Sequence, residues 1–201
     1  MNDLNVFINC PFDIKYQRMF RATIFCIHSC GYVARCVLEL TDGSDTRITK
    51  LAELIAKCKY GFHDMSRVEL DDVNKLPRFN MPFELGLFLG AKYYEKTSGF
   101  SRQCIILDSD RYRLQKCLSD LAGNDPKIHS NDPKKLITEL RTWLISLPES
   151  NGMAIPGPKK IVDNFLQFEI EFPEVCKAGG FDKKNIAFPD YSKIVTTWLT
   201  S

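Results

Sequence analysis

The sequence predicts an α/β protein in which a mostly parallel β-sheet is covered by helices on both faces. Three observations lead to this expectation. Apolar runs with strand composition alternate with segments of helical periodicity, as at 4–10 followed by 16–30. The run at 104–107 is continuously apolar, as in a buried strand. The connections between the strand-like runs are too long for hairpins, which favours parallel pairing.

The alternation divides the first 147 residues into short elements. Helix boundaries are indicated by turn and capping residues, most clearly by Asp132 and Pro133, which suit a cap and a first helical position. Gly86 and Gly90 are expected to let their helix approach the sheet closely. The expected strands are 4–10, 32–40, 59–63 and 102–108, and the expected helices are 16–30, 46–58, 81–94, 110–121 and 133–147.

The composition changes at Pro148, after which the chain is rich in Pro, Gly, Ser and Asn. We therefore expect an α/β domain over 1–147, a linker over 148–158 and a helical extension over 159–201. Within the extension, 159–172 and 190–200 are predicted amphipathic helices. Because such helices are marginal alone in water, they should pack on the main domain or on another chain.

Bulk properties exclude several classes of protein. The 201 residues carry a net charge of +2, and no run of like charges suggests a nucleic-acid surface. No apolar stretch reaches the length of a membrane span, and the N-terminus lacks the pattern of a secretory signal, so we expect a cytoplasmic protein. The eight cysteines include no C-x-x-C pair and are expected to be free and mostly buried.

Glu84 is the first candidate for chemistry, because it stands in the first turns of the helix predicted at 81–94. A carboxylate there can stabilise or capture an oxocarbenium-like sugar. The alternative is a glutamate stabilised by the helix dipole, which is common.

Other candidates follow the predicted strands, where ligands bind in open α/β sheets. Asp64 and Ser66 come at the end of the strand at 59–63, and an aspartate there can hold ribose hydroxyls or protonate a leaving base. The alternative for Asp64 is a cap on a nearby backbone N–H, which is also the favoured interpretation of Asp108. After the first strand, Pro11, Phe12 and Asp13 are candidate substrate contacts with an aromatic face, or simply packing residues.

Arg67, Arg78 and Asn80 complete the set of candidate substrate-binding residues. The two arginines flank a polar loop and can grip a phosphate, although arginines in such loops are usually solvated. The chain contains neither G-x-G-x-x-G nor a Walker loop, and its three histidines show no metal-ligand spacing. We therefore expect neither a metal nor a cofactor.

Three segments together resemble the nucleoside 2-deoxyribosyltransferase and TIR-like superfamily: VFINCPFD at 6–13, CKYGFHDMS at 58–66 and NMPFELGLFLGAK at 80–92. The resemblance covers roughly residues 4–147. It implies a flavodoxin-like or TIR-like fold in which Glu84 attacks or stabilises the anomeric carbon and Asp64 assists at the sugar or base. Asn80-Met81-Pro82-Phe83 departs from the deoxyribosyltransferase pattern of a small residue and an aromatic before Glu-Leu-Gly. The tail after Pro148 has no counterpart in the minimal fold.

Many bacterial relatives cleave the N-glycosidic bond of NAD in defence against phage. The resemblance therefore implies an N-glycosidase that takes NAD as substrate, not as cofactor, and releases nicotinamide and ADP-ribose. Two alternatives stay open: a non-catalytic TIR-like module that senses a nucleotide or assembles with partners, and a deoxyribosyltransferase or nucleotide base hydrolase. The expected partner is a small nucleotide, with a second copy of the chain or a partner defence protein as further candidates.

Overall fold

Five parallel strands form the central sheet of the computed structural model, which describes residues 4–67, 70, 75–95 and 101–201. The strands lie side by side in the order β2-β1-β3-β4-β5, and each neighbouring pair runs parallel. The predicted α/β class with its parallel sheet is confirmed. The strands are β1 (Asn5–Asn9), β2 (Val33–Arg35), β3 (Tyr60–Asp64), β4 (Gln103–Asp108) and β5 (Lys127–Ile128).

The helices begin where the sequence offers capping groups. Thr46 accepts a hydrogen bond from the N–H of Thr49 at the start of α2, and Asp132 accepts one from the N–H of Lys134 at the start of α5. The cap at Asp132 confirms the prediction from the sequence. The described helices are α1 (Gln17–Ser29), α2 (Arg47–Ala56), α3 (Asn80–Tyr94), α4 (Arg113–Cys117), α5 (Pro133–Leu144), α6 (Pro158–Gly179) and α7 (Phe188–Thr200).

The two faces of the sheet carry different helices. In β1, Val6 and Ile8 pack in one core with α1 and α5, while Phe7 packs in another with α2 and Phe88 of α3. This division follows from the strand period of two, which sends successive side chains to opposite faces. A third cluster, around Met65 and Leu85, lies where α3 meets the end of β3. The sheet is thus covered on both faces, as predicted.

Four element boundaries differ from the expectation. The second strand ends at Arg35, because a 3-10 turn follows at Val37–Glu39 and Glu39 forms an ion pair with Arg35. The helix expected at 110–121 is divided into α4 and a 3-10 turn at Ser119–Leu121. The polar stretch 124–131, where the sequence predicts no strand, contains β5. Helix α6 continues through Pro173 because Phe172 and Cys176 are buried on both sides of it, and their packing offsets the cost of the proline.

The predicted role of Gly86 and Gly90 is wrong. A Cβ atom added at either position would meet nothing within 4 Å, so neither glycine brings α3 close to the sheet. The close approach occurs instead at Gly61 of β3, where a Cβ atom would lie 2.9 Å from the ring of Phe88. The missing side chain is therefore needed on the strand and not on the helix.

The C-terminal helices pack on the main domain, as the amphipathic pattern predicts. Phe165 and Phe168 of α6 contact Phe25 of α1 with ring centroids 5.5 and 5.3 Å apart. Trp198 of α7 contacts the same ring at 5.8 Å. The extension thus buries the outer side of α1. None of the helices in the described ranges combines the length and the hydropathy of a bilayer-spanning segment.

Candidate active site at the carboxyl edge of the sheet

The carboxyl ends of β1 and β3 lie side by side at the point where the strand order reverses. The chain leaves β1 toward β2 on one side and continues from β3 toward β4 on the other. Such a switch point is the usual ligand crevice of an open parallel sheet. The side-chain amide of Asn9 donates to the carbonyl of Met81 at 2.8 Å, which fixes the start of α3 at the end of β1. Glu84 therefore stands at this edge.

Asp64, at the end of β3, is fully buried, and both of its carboxylate oxygens have partners. Oδ1 accepts the backbone N–H of Ser66 at 2.8 Å, and Oδ2 accepts the hydroxyl of Tyr16 at 2.5 Å. Nε2 of His129 lies 2.9 Å from Oδ2. Asp64 thus joins the starts of α1 and α5 to the sheet.

The electrostatic balance at Asp64 favours the carboxylate. Burial acts to raise its pKa, but the interaction with His129 and the hydrogen bonds from Ser66 and Tyr16 more than offset this, so the pKa of Asp64 lies below its ordinary value. Nδ1 of His129 accepts the N–H of Asn131 at 3.0 Å, which leaves Nε2 to carry the ring proton toward Asp64. The buried charge is therefore satisfied by the protein itself.

The carboxylate of Glu84, unlike that of Asp64, is buried without a partner among the described residues. Glu84 is 6% exposed, and none of the hydrogen bonds or ion pairs among the described residues involves its carboxylate. Burial raises the pKa of Glu84 to about 7, against a smaller opposing effect from the charge of Arg47. A carboxyl group with this pKa changes its charge near neutral pH, which marks Glu84 as a candidate for function.

The two carboxylates approach the edge from different layers of the fold. Asp64 points to the side of α1 and α5, since the preceding His63 contacts Phe88 of α3 on the other side, with ring centroids 5.0 Å apart. Glu84 belongs to α3. Cys10, after β1, is influenced by both: burial and the charges of Cys36, Asp64 and Glu84 raise its pKa well above the ordinary value. Whether Asp64 and Glu84 act on one substrate stays a prediction.

The β1–α1 loop is linked to the β3–α3 loop by Asp13. Its Oδ2 lies 3.1 Å from Nη1 of Arg78 and 3.8 Å from Nε of Arg67, and its Oδ1 accepts the N–H of Tyr16 at 3.1 Å. The three predicted contacts Asp13, Arg67 and Arg78 are thus brought together, with the arginines paired to a carboxylate. Residues 68–69 and 71–74 of the predicted polar loop lie outside the described residues.

The remaining candidates have different environments. Pro11 is buried, whereas Phe12 is 37% exposed and packs edge-on against Phe20. Ser66 is 2% exposed, and its hydroxyl has no hydrogen-bond partner in the described part of the chain. Asn80 is exposed at the first position of α3. An apolar cavity of about 270 Å³ lies nearby, lined by residues that include Met65, Arg78, Pro82, Asp108 and Leu114.

Sequence reasoning missed Tyr16 and His129. Tyr16 had a weak local signal, since it comes three residues after Asp13 at a helix start. His129 had none, because the strand that places it, β5, is only two residues long. The alternative interpretation of Asp108 as a cap is confirmed: it accepts the N–H of Ser109 at 2.6 Å and pairs with Arg113.

Comparison of the chain with models of protein families, with curated proteins and with solved structures gave no match in any of the three. The site therefore has to be interpreted from its own geometry.

Proposed function

We propose that the protein cleaves the N-glycosidic bond of a nucleotide, with NAD, hydrolysed to nicotinamide and ADP-ribose, as the leading substrate. Glu84 is the proposed catalytic residue. A role in defence against phage follows only from the resemblance to the deoxyribosyltransferase and TIR-like superfamily and belongs to the same proposal.

The environment of Glu84 carries this proposal. A buried carboxylate without a partner is unfavourable, because it loses the solvation of water and gains no compensating bond. A cationic group placed against it relieves that cost. The anomeric carbon becomes positively charged when a glycosidic bond breaks, so the carboxylate interacts more strongly with the transition state than with a neutral ground state.

The chemistry requires one water molecule and no cofactor. The bond between C1′ of the ribose and the pyridinium nitrogen breaks, and its electron pair goes to the nitrogen, which leaves neutral nicotinamide. Glu84 stabilises the resulting charge on C1′ or bonds to it transiently. Water then forms the new C1′–O bond and gives up a proton. Because the pyridinium ring of NAD is itself cationic, NAD suits an unpaired carboxylate better than a neutral nucleoside does.

The proposed role needs the ionised form of Glu84. Since its pKa is about 7 in the free protein, kcat/KM should rise with pH through this value and level off above it. Base release from NAD, measured between pH 5 and pH 9, checks this expectation. A rate that falls over the same range would assign Glu84 the role of an acid.

The substrate is tested by incubating the purified protein with NAD and, in separate reactions, with nucleosides and with deoxynucleotides. Released base is then measured chromatographically. Release of nicotinamide from NAD, with no base released from nucleosides or deoxynucleotides, supports the leading proposal. Base released from nucleosides or deoxynucleotides, but not from NAD, would instead indicate a deoxyribosyltransferase or a nucleotide base hydrolase.

A nucleotide-binding module without chemistry is the second candidate. The observation that favours it is the saturation of Asp64, whose oxygens are occupied by Ser66, Tyr16 and His129 and so are not available to a sugar. Binding of NAD without release of base from any of the three substrate classes would support this candidate.

A further inference from the structure

A second cavity, of about 420 Å³, lies between the α/β domain and the C-terminal extension. Its apolar lining comes from both parts of the chain: Phe12, Phe20 and Leu38 from the domain, and Ile186 and Phe188 from the extension. The rings of Phe12 and Phe20 are 5.3 Å apart, and those of Phe20 and Phe188 are 6.1 Å apart. The cavity therefore exists only because the extension is docked.

The aromatic rings suit a planar ligand. Phe12 leaves 37% of its surface exposed and Leu38 leaves 45%, so the cavity has accessible apolar walls. A ring system that enters such a site gains apolar burial and aromatic contact.

The polar lining suits a ligand with an anionic group and hydrogen-bond donors. Lys184 interacts electrostatically with Asp182 but forms no ion pair among the described residues. Arg21 and Asp13 also line the cavity, and Asp13 is paired with Arg78. The amide nitrogen of Gln17 donates to the carbonyl of Lys184 at 3.2 Å, and that of Asn185 donates to Asp182 at 2.7 Å. Both amides keep their carbonyl oxygens as acceptors for an amino group. A purine carrying an amino group and a phosphate combines these features.

The wall of the cavity formed by Phe12 lies close to the start of α3, which carries Glu84. The side-chain amide of Asn9, three residues before Phe12, donates to the carbonyl of Met81, three residues before Glu84, at 2.8 Å. Three extended residues span about 11 Å. A ligand seated between Phe12 and Leu38 is therefore within the reach of a dinucleotide from Glu84.

We propose that this cavity binds the nucleoside monophosphate half of a dinucleotide whose scissile glycosidic bond lies at Glu84. The inference rests on the proposed function for the position of that bond, and gives the C-terminal extension a role in substrate recognition. Lys184 pairs with the phosphate, and the aromatic walls hold the base.

The test uses the full-length chain and measures binding of AMP, nicotinamide mononucleotide and NAD by calorimetry. Lys184→Glu should weaken AMP and NAD binding by about 10-fold to 100-fold, the loss expected for one hydrogen bond between charged groups, and leave nicotinamide mononucleotide unaffected. Lys183→Glu is the matched control, because Lys183 is also exposed but does not line the cavity. Leu38→Trp, which fills the cavity, should also weaken AMP binding, whereas Ile48→Trp, at a position with the same 45% exposure on α2, should not.

The outcomes separate this inference from the proposed function. AMP binding that is absent, or equal in the Lys184 and Lys183 variants, or unchanged by Leu38→Trp, would overturn the inference even if NAD is hydrolysed. AMP binding that depends on Lys184 and Leu38, in a protein that releases no base from NAD, would support the cavity and remove the proposed function.

Discussion

Asp64 and Glu84 stand at the same edge of the sheet and differ in almost every electrostatic respect. Asp64 is fully buried and is held by a tyrosine hydroxyl, a histidine ring and a backbone N–H, and its pKa is lowered. Glu84 is nearly as buried and has no such partner among the described residues, and burial raises its pKa to about 7. The same kind of group is thus stabilised as an anion in one place and destabilised in the other.

The difference indicates separate roles. A carboxylate whose bonds are all made within the protein connects structural elements, and breaking its network costs stability. A carboxylate that the protein leaves unpaired lowers stability, which is a common property of residues kept for function. On this basis we propose that Asp64 is a structural residue of the site and that Glu84 is its chemical group. This assignment departs from the sequence-based expectation that both are catalytic.

The largest effect is expected for Asp64→Asn. The substitution places an amide N–H₂ where Tyr16 and His129 direct their donors, so it should lower the free energy of unfolding by about 3 to 5 kcal/mol at pH 7. Urea denaturation of the two proteins measures the difference. Asp120→Asn, at an exposed aspartate, is the control and should change stability by less than about 0.5 kcal/mol.

The pH dependence sharpens the same test. Because the folded-state pKa of Asp64 is depressed, its contribution is present above the unfolded-state pKa of about 4 and is lost as the pH falls through the folded-state value. The stability difference between wild type and Asp64→Asn should therefore shrink in acid. A difference that stays constant from pH 7 to pH 3 would show that charge is not its source.

Glu84→Gln should act in the opposite direction. A raised folded-state pKa means that the folded protein binds the proton more tightly than the unfolded chain does, so wild-type stability falls as the pH rises from about 4.5 to about 7. Glutamine lacks this ionisation. The variant should therefore gain about 2.5 kcal/mol relative to wild type between pH 5 and pH 8.

Unfolding free energies of wild type and Glu84→Gln at pH 5 and pH 8 check this expectation. Glu53→Gln, at an exposed position of α2, is the control. A Glu84→Gln variant that is less stable than wild type by about 0.3 to 1 kcal/mol at both values would instead support the helix-dipole interpretation.

Tyr16→Phe is expected to have the smallest effect of the three. It removes one hydroxyl donor from Asp64 and leaves the contacts with Ser66 and His129, so it should cost about 1.5 to 3 kcal/mol. The pKa of Asp64 should rise in the variant, which NMR titration of the carboxyl carbon detects. An unchanged pKa would mean that the hydroxyl does not stabilise the carboxylate.

The positions of both carboxylates could be predicted from the sequence, because an apolar run that ends in Asp64 and a helix start that contains Glu84 are local patterns. The environments of the two carboxylates could not be predicted from the sequence. The partners of Asp64 come from distant parts of the chain, and one of them depends on β5, a strand too short to be recognised. The burial that perturbs Glu84 is a property of packing. Gly86 and Gly90 illustrate the same limit, since helical spacing does not indicate which face meets the sheet.

The central claim is that the unpaired carboxylate of Glu84 serves catalysis, and the most direct measurement is nicotinamide release from NAD by wild type and Glu84→Gln at pH 8. We expect turnover to fall about 10² to 10³-fold, by analogy with the loss of one preorganised electrostatic contact, while NAD binding and folding are retained. Glu53→Gln should match wild type. Equal turnover in wild type and Glu84→Gln would contradict the account.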